Sequence, residues 1–416
     1  MTTKTPRAPG SLAFSEKNRT RITKKIKIVT LMHGGGPVSS EGDHPSAPTR
    51  KPDDVTPIRG SALRGQLRFW WRATHGCTSK TTEELRKRED TLWGNASKPG
   101  LVDVAVRSSM TASNVAVDTL GNIGTGLRYG AFATGNLTRL LGEATLEIVV
   151  RKPGEKATTA SHADLNNEVQ DALTAWLLFG GMGGRTRRGF GAVHADGLPK
   201  PEAFLERFSQ HELLAAVPTL HGATLVVAQA EAPSSEDAHR AAVDKLSKFR
   251  QGSGVGRNPG QTANRPGRSR WPEADEIRRI KRTNSAGHDP VHPVKKFPRG
   301  VFGLPIVFQF KDNRQGDPQQ IQLVPGKVKA LDGMLASRMA SPLILRPTLI
   351  GDKWHAMALR LRVPNITIDR GELAGRNGQP GTPVTIAITA DEAQSIRPIA
   401  DYGGGEDVIA VFLSRF

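Results

Sequence analysis

The order in which strand-like and helix-like patterns follow one another constrains the fold of this chain more than any other feature of its sequence. In the first half of the chain, four segments have strand patterns and two segments repeat apolar residues at helical spacing. The strand patterns lie at 21–31, 101–109, 143–151 and 189–196, and the helical patterns at 56–76 and 165–179. The resulting order is βαββαβ, which predicts a ferredoxin-like unit, an antiparallel sheet with both helices on one face.

A second unit begins near Leu213, and its order of elements is less legible. A strand pattern at 221–230 and a capped helix at 234–250 come first. Further strand patterns lie at 301–310, 343–350, 354–363 and 382–389, and a terminal helix at 406–416. We therefore predict an α+β chain with three parts: a disordered basic leader at 1–20, an N-terminal ferredoxin-like domain at 21–212, and a related C-terminal domain at 213–416 with a basic loop insertion at about 251–300.

The first predicted helix, "TPIRGSALRGQLRFWWRATHG", has recognisable ends and one apolar face. Ser61 is a good N-cap and Gly76 can close the C-terminus. The core face is predicted to consist of Leu63, Leu67, Trp70, Trp71 and Thr74. The segment is therefore expected to be an amphipathic helix that packs on the sheet.

Arginines form a second stripe on this helix. Arg64, Arg68 and Arg72 follow at four-residue spacing, about 100° around the axis from the leucines. Gly65 costs about 1 kcal/mol relative to alanine inside a helix, which is tolerable where another backbone must approach. One interpretation is that another molecule lies close to this helix, and the other is a solvated face whose arginine stems pack along the surface.

The net charge narrows the classes of partner. With a formal charge of +18 among 416 residues, the chain favours a polyanion, and nucleic acid is the leading class. The sequence contains no long apolar run, which argues against a membrane span, and "IKIVTLM" is too short and too charged for a signal peptide. Cys77 is the only cysteine, so neither an intrachain disulfide nor a cysteine-rich zinc site can form, and we expect a cytoplasmic protein.

The run "FGGMGGRTRRGFGAV" at 179–193 resembles a phosphate loop only superficially. It lacks the Lys-Ser/Thr pair of a Walker loop, and it follows a helix and leads into a strand, the reverse of the order that such a loop needs. Gly183 and Gly184 permit a backbone that lies close to a polyanion, and Arg185, Arg187 and Arg188 supply charge. The alternative is a glycine helix cap followed by solvated arginines.

The segment 265–299 is rich in glycine, proline and arginine around one tryptophan. Basic residues that flank an aromatic ring suit single-stranded RNA, because the ring can stack on a base while the arginines hold the backbone. Trp271 is the candidate stacking residue, and its alternative role is to anchor the loop onto the domain. The basic residues are Arg265, Arg268, Arg270, Arg278, Arg279, Lys281, Arg282, Lys295, Lys296 and Arg299.

Candidate catalytic groups are sparse. His33 follows the first strand and can be read as a general acid or base, although a lone histidine beside glycines is more often a loop residue. His288 and His292 lack a convincing third metal ligand nearby, and the adjacent pair Asp53 and Asp54 reads as solvated. We therefore predict no catalytic residue, no metal and no cofactor.

Six stretches, taken together, resemble the RAMP superfamily proteins of type III-B CRISPR systems. The arginine–tryptophan helix and the glycine-rich loop carry most of the resemblance, and the six stretches span most of the chain in order. They are "TPIRGSALRGQLRFWWRA", "EDTLWGNAS", "GGMGGRTRRGFG", "GRSRWPEADEIRR", "FPRGVFGLPIVF" and "RMASPLILRP". The loop at 251–270 matches the family pattern poorly, so no role is carried over to its individual residues.

The resemblance implies a function for the whole chain. It implies two ferredoxin-like RAMP domains with long glycine- and arginine-rich loops, and no nuclease activity. It also implies a place in a Cmr ribonucleoprotein effector complex of antiviral defence, holding target RNA near the 3′ end of the CRISPR RNA. The expected partners are CRISPR RNA, target RNA and other RAMP subunits, with no membrane. The predicted RNA-binding residues are Arg59, Arg64, Arg68, Arg72, Gly183, Gly184, Arg185, Arg187, Arg188, Arg268, Arg270, Trp271, Lys295, Lys296 and Arg299.

Two other functions fit the same sequence. One is a RAMP endoribonuclease that processes precursor CRISPR RNA, with His33 or His75 as general acid or base. The other is a basic scaffold that contacts only protein partners.

Overall fold

A computed structural model shows a chain built from helices and antiparallel sheets, as the sequence predicted. The structure describes residues 18–34, 57–121, 126–132, 136–154, 158, 160–210, 212–214, 217–260, 262, 267–326, 338–363, 370–374 and 381–416. Most of the predicted leader, residues 1–17, lies outside these ranges, as do Asp53, Asp54 and Arg265.

In the described residues, the N-terminal half contains six strands and five α-helices. The strands are β1 (Arg19–Ile28), β2 (Val102–Ser108), β3 (Thr111–Ala116), β4 (Asn136–Leu141), β5 (Ala144–Arg151) and β6 (Val193–His194). The helices are α1 (Gly60–Thr74), α2 (Thr82–Trp93), α3 (Gly126–Gly130), α4 (His162–Phe179) and α5 (Pro201–Leu205). The predicted βαββαβ order is present, with α2, the β3–β4 hairpin and α3 as additional elements.

The first sheet has the strand order β2-β5-β1-β6, and every pairing in it is antiparallel. Alternation along β1 places Ile26 and Ile28 in the core and leaves Lys25 and Lys27 exposed, because successive side chains of a strand point to opposite faces. Helices α1 and α4 pack against each other and bury the apolar face of the sheet.

Two further sheets are formed by the part of the C-terminal half that the structure describes. Its strands are β7 (Thr219–Ala232), β8 (Ile306–Phe308), β9 (Ile321–Pro325), β10 (Leu343–Ile350), β11 (Lys353–Arg362), β12 (Arg370–Leu373) and β13 (Thr382–Thr385). Its helices are α6 (Ser235–Gln251), α7 (Glu273–Lys281), α8 (Ala390–Ser395), α9 (Arg397–Ala400) and α10 (Val408–Leu413). One sheet has the order β10-β11-β7 and the other β13-β12-β9-β8.

One hydrophobic core joins the two halves. The same buried cluster includes Leu67 of α1, Trp176 of α4, Ile148 of β5 and Met357 of β11. Helices α1 and α4 therefore contact the first sheet and also the strands β7 and β10 of the C-terminal half. The proposed boundary at 212/213 stays a prediction, and the buried cluster continues across it.

Several predicted element ends differ from the observed ones. Ser61 is not the N-cap of α1, because the helix begins one residue earlier, at Gly60, and Arg59 is the N-cap residue. At Gly60 the helix lies close to the carbonyl of Val104 in β2. The helix ends at Thr74 with His75 as its C-cap residue, so Gly76 lies in a following 3-10 turn instead of closing the helix. The predicted loop at 251–300 contains α7, and the predicted strand 301–310 is reduced to β8.

Candidate nucleic-acid interface

The apolar face of α1 is buried as predicted, and its arginine stripe borders a carboxylate. Leu63, Leu67, Trp70 and Trp71 are at most 2% exposed. Glu89 of α2 is buried and accepts from Arg68 Nε and from Arg72 Nη1, each at 2.7 Å. Two of the three stripe arginines therefore share one carboxylate.

Arg64 differs from the other two stripe arginines. Its Nε is buried and has no hydrogen-bond partner within the described part of the chain. It lines a groove of about 290 Å³ together with Ser61, Gly65, Arg68 and the turn at 94–96. A Cβ added at Gly65 would meet no atom of the described residues within 4 Å, so among these residues no other backbone lies close to it. The groove is open and basic, which is suitable for a phosphate group. Arg59, which precedes the helix as its N-cap residue, is half-buried.

The glycine-rich loop approaches the chain that follows β1. The Gly184 amide donates to the carbonyl of His33 at 2.7 Å. A Cβ at Gly183, whose φ is +79°, would lie 2.7 Å from that same oxygen. The backbone that lies close to Gly183 and Gly184 is therefore that of His33, and the predicted approach of a polyanion to these glycines stays a prediction.

The arginines of this loop are turned toward the protein. Arg185 donates to the carbonyls of Gly130, at 2.6 Å, and Phe132. Arg187 donates to the carbonyl of Ser341, and burial lowers its pKa to about 10. The alternative of fully solvated arginines is therefore wrong for these two.

Arg188 is the most enclosed of the three. It donates to the carbonyl of Phe302 at 3.1 Å, while its own carbonyl accepts from His239 Nε2 at 2.6 Å. Burial lowers the pKa of Arg188 to about 10, with a smaller contribution from Arg250. Arg346 of β10 donates to the carbonyls of Gly180 and Val193 at the two ends of the loop. The loop is thus bound to the C-terminal half by charged donors on both sides.

The six stretches that carry the family resemblance form one connected set of contacts. Glu89–Arg68 joins the second stretch to the first, and the Arg187 guanidinium lies 5.5 Å from the centre of the Phe69 ring, joining the third to the first. Arg187–Ser341 and Arg188–Phe302 join the third to the sixth and fifth. Arg299–Glu273, at 3.1 Å, joins the fifth to the fourth.

Trp271 is a core residue. Its ring is 1% exposed, stands edge-on to Phe249 at 5.4 Å, and donates through Nε1 to the carbonyl of Phe249. The indole is therefore unavailable for base stacking in this structure, and the alternative that Trp271 anchors the segment is the one that the contacts support.

The basic residues around Trp271 divide into paired and unpaired groups. Arg268 pairs with Asp275, Arg270 with Asp401, and Arg299 with the fully buried Glu273. Lys295 is exposed and Lys296 half-buried, and neither forms an ion pair within the described ranges. Of the predicted residues of this segment, the two lysines are the most available to a phosphate.

The histidine candidates occupy separate environments. His33 is half-buried, and burial lowers its pKa, with Arg185 adding to the effect. His75 lies at the end of α1, with Nε2 2.9 Å from Oδ2 of Asp171. Asp171 is buried and also pairs with Arg207.

His288 has potential ligand atoms close to it that the sequence did not indicate. Asp312 and Asp317 lie with it in a group whose ligand atoms are within 4.8 Å of one another, whereas His292 is not part of that group. Both oxygens of Asp317 accept from Arg278, at 3.0 and 2.9 Å. Although burial raises the pKa of Asp317, these hydrogen bonds hold it well below its usual range. Arg278 thus already neutralises the Asp317 carboxylate of this group.

Sequence reasoning missed one basic surface. The solvent face of β1 carries Arg21, Lys25 and Lys27, and Arg107 of β2 lies on the same sheet face. Arg21 and Arg107 pair with Glu147 of β5, and Lys27 with Glu143. The alternation of isoleucine or valine with lysine or threonine at residues 21–31 contained this signal, because it is typical of a strand with one solvent-exposed face.

In the described ranges no helix combines the length and the apolar character needed to cross a membrane. The fold and the site define an α+β protein with an open basic groove on α1 and a glycine-rich loop that is bound to its C-terminal half.

The region 25–194 matches the family model described as RAMPs, the RAMP superfamily. The resemblance to the RAMP superfamily that was drawn from the sequence is confirmed at this level, as a match over residues 25–194. A comparison with curated proteins finds no significant match.

Solved structures with low sequence identity are similar to the chain. One is the crystal structure of Cmr1 from Pyrococcus furiosus in its apo form, with 13% identity, coverage of 91% of this chain and 96% of that chain, and a TM-score of 0.43. Two cryo-EM structures of the Type III-B Cmr-beta are also similar. In the one bound to cognate target RNA and AMPPnP, a chain is 10% identical over 83% of this chain and 96% of its own, with a TM-score of 0.37. In the one bound to cognate target RNA, the identity is 14%, the coverage 44% and 60%, and the TM-score 0.27. All three TM-scores lie below 0.5, and we draw neither fold nor function from them.

Proposed function

We propose that this chain is a non-catalytic RNA-binding subunit of a type III-B CRISPR effector complex, most like the first subunit of the Cmr complex. In that role it holds target RNA near the 3′ end of the CRISPR RNA, beside other RAMP subunits. The RAMP superfamily match over residues 25–194 and the connected set of six family-like stretches support this assignment.

The proposal includes the finer fold assignment. The sheet order β2-β5-β1-β6, with α1 and α4 on one face, has the topology of a ferredoxin-like domain. In the C-terminal half, β7, α6, β10 and β11 follow one another along the chain as a βαββ unit. Their sheet order, β10-β11-β7, corresponds to β2-β5-β1 of the first sheet. We propose two ferredoxin-like RAMP domains on this basis.

The α1 groove is the observation that carries the RNA-binding role. Arg64 has a buried Nε without a protein partner, Gly65 leaves the space beside it open, and the chain carries a net charge of +18. A guanidinium that is positioned but unpaired is a binding site for an oxyanion, and phosphate contacts supply most of the affinity for RNA.

Salt titration with the purified chain tests the proposal. If roughly 6 to 10 phosphates are neutralised, affinity for a labelled single-stranded RNA falls by about 10³- to 10⁵-fold between about 50 and 200 mM salt, with single strands at the shallower end. Arg64→Ala is expected to weaken RNA binding. It is also expected to reduce the salt slope, which is the decrease in log affinity per tenfold increase in salt, by about 0.7. The matched control Arg397→Ala removes an exposed arginine from α9 and is expected to leave the RNA affinity and the salt slope unchanged. A flat salt dependence of the parent protein contradicts RNA binding and favours a scaffold that contacts only proteins.

The His75–Asp171 pair favours one alternative, a RAMP endoribonuclease that processes precursor CRISPR RNA. A carboxylate orients the imidazole at 2.9 Å, an arrangement that general acid–base catalysis uses. Metal-independent cleavage of precursor RNA by the purified chain, lost in His75→Ala or His33→Ala, is the outcome that would support the enzyme over the non-catalytic subunit.

A further inference from the structure

Phe132 is an exposed aromatic residue beside the glycine-rich loop. Its side chain is 51% exposed, whereas Trp271, the aromatic residue that the sequence favoured, is buried. The other exposed large apolar side chains in the described residues are Leu141, Val291 and Val307, none of them aromatic. Among these exposed side chains, Phe132 alone offers a ring face to a nucleobase.

Arg185 fixes the backbone that carries this ring. Its Nη1 donates to Gly130 at 2.6 Å and its Nη2 donates to Phe132 itself, so one guanidinium spans both carbonyls. Arg185 adopts a left-handed conformation with φ of +56°, which is rare for a residue with a side chain. Such conformations persist only where the surroundings enforce them, and they concentrate at functional sites.

The surroundings of the ring are basic. The Arg185 guanidinium donates to the carbonyls of Gly130 and Phe132, and the same loop leads through Gly184 to His33. A base stacked on Phe132 would therefore have this cationic group close to its phosphate.

We infer that Phe132 is the base-stacking residue of the RNA interface and that Arg185 is its positioning residue. This inference rests on the proposed function, because it names how that interface contacts RNA. A single exposed ring beside a guanidinium suits one base of a single strand, whereas a stable protein interface needs a larger apolar patch. Stacking on an aromatic side chain does not depend on base identity, so the contact is expected to tolerate any sequence.

The test compares Phe132→Ala and Phe132→Leu with the parent protein, using fluorescein-labelled oligouridine as the probe. Loss of the ring is expected to weaken binding by about 5- to 150-fold, by the same factor at low and high salt, because stacking releases no counterions. Leucine keeps an apolar side chain but not the ring, so it is expected to behave like alanine. Leu141→Ala, at another exposed apolar site, is the matched control and is expected to bind like the parent.

Arg185→Lys tests the positioning role. Lysine keeps the charge but cannot span both carbonyls, so affinity is expected to fall while the salt slope stays that of the parent. When combined with Phe132→Ala, this change is expected to add no further loss, because both variants remove the same stack.

Three outcomes overturn the inference. A parent protein that fails to bind oligouridine removes the proposed function and the stacking role together. If the parent binds with a steep salt dependence and the Phe132→Ala variant binds equally well, the results support RNA binding and contradict only the stacking role. A Phe132→Ala variant that retains RNA affinity but fails to assemble with other subunits shows that the ring contacts protein. Circular dichroism of each variant checks that the fold is intact.

Discussion

Nε of Arg68 and Oε1 of Glu89 lie 2.7 Å apart, and Arg72, one helical turn further along α1, reaches the same oxygen at the same distance. Glu89 therefore partly neutralises the arginine stripe from inside the protein. The stripe is neither a fully solvated face nor a fully free RNA-binding edge, because its two C-terminal members are held by a carboxylate while Arg64 is not.

Glu89→Gln is expected to strengthen RNA binding while weakening the fold. The amide can still accept a hydrogen bond but leaves Arg68 and Arg72 without a compensating charge, so the salt slope is expected to steepen by about 0.7. Loss of the charge-assisted bonds is expected to lower the free energy of unfolding by about 1.5 to 3 kcal/mol. Binding titrations and urea denaturation measure the two effects. Glu83→Gln, an exposed change in the same helix, is the control, and equal behaviour of the two variants would contradict the assignment.

Two substitutions in α1 separate the core from the groove. Trp70→Ala removes a buried ring and is expected to destabilise the protein by about 3 to 5 kcal/mol. Arg64→Ala is expected to leave thermal unfolding nearly unchanged, because this side chain has no ion pair within the described residues to lose. Calorimetry or thermal circular dichroism measures both. If Arg64→Ala unfolds the protein instead, the stripe is structural.

The sequence predicted the buried face of α1 and the βαββαβ order because both follow from local periodicity. It did not predict the partner of Arg68, because α2 is mostly polar and Glu89 comes 21 residues later in the chain. The orientation of Arg187 and Arg188 was equally inaccessible, since their acceptors at Ser341 and Phe302 are more than 100 residues away. For Trp271 the sequence left two roles open, and only the position of Phe249 decided between them.

The glycine-rich loop offers a matched pair for testing close backbone approach. Gly183 and Gly254 have nearly the same φ, +79° and +78°, so alanine meets the same local strain at both. At Gly183 the new Cβ also lies 2.7 Å from the carbonyl oxygen of His33, whereas at Gly254 nothing lies within 4 Å. Gly183→Ala is therefore expected to cost about 1 to 3 kcal/mol more than Gly254→Ala in urea denaturation. Equal costs would show that the loop moves away from His33 without penalty.

The buried His239 makes the attachment of the loop sensitive to acid. The ring is 0% exposed, its Nε2 donates to the Arg188 carbonyl, and its Nδ1 is buried without a partner in the described residues. Burial lowers the pKa of His239 to about 4, and Arg240 adds to the effect, while the hydrogen bond to Arg188 opposes it. The side chain is therefore neutral in the folded protein at neutral pH.

A histidine whose pKa is lowered on folding stabilises the folded state above its unfolded pKa of about 6.5, and that stability is lost as the pH falls toward 4. The unfolded chain takes up a proton in this window while the folded chain does not, so His239 alone is expected to account for about 3 kcal/mol of lost stability. The pKa values of His33, His194, His221 and His292 are lowered as well, so the parent protein is expected to lose more than that amount.

Urea denaturation of the parent and of His239→Gln at pH 7, 6, 5 and 4.5 isolates the contribution of His239, because glutamine can still donate to the Arg188 carbonyl but does not titrate. Between pH 7 and pH 4.5 the free energy of unfolding of the parent is expected to fall by about 3 kcal/mol more than that of His239→Gln. Parallel curves would show that His239 is charged in the folded state and that burial does not hold it neutral.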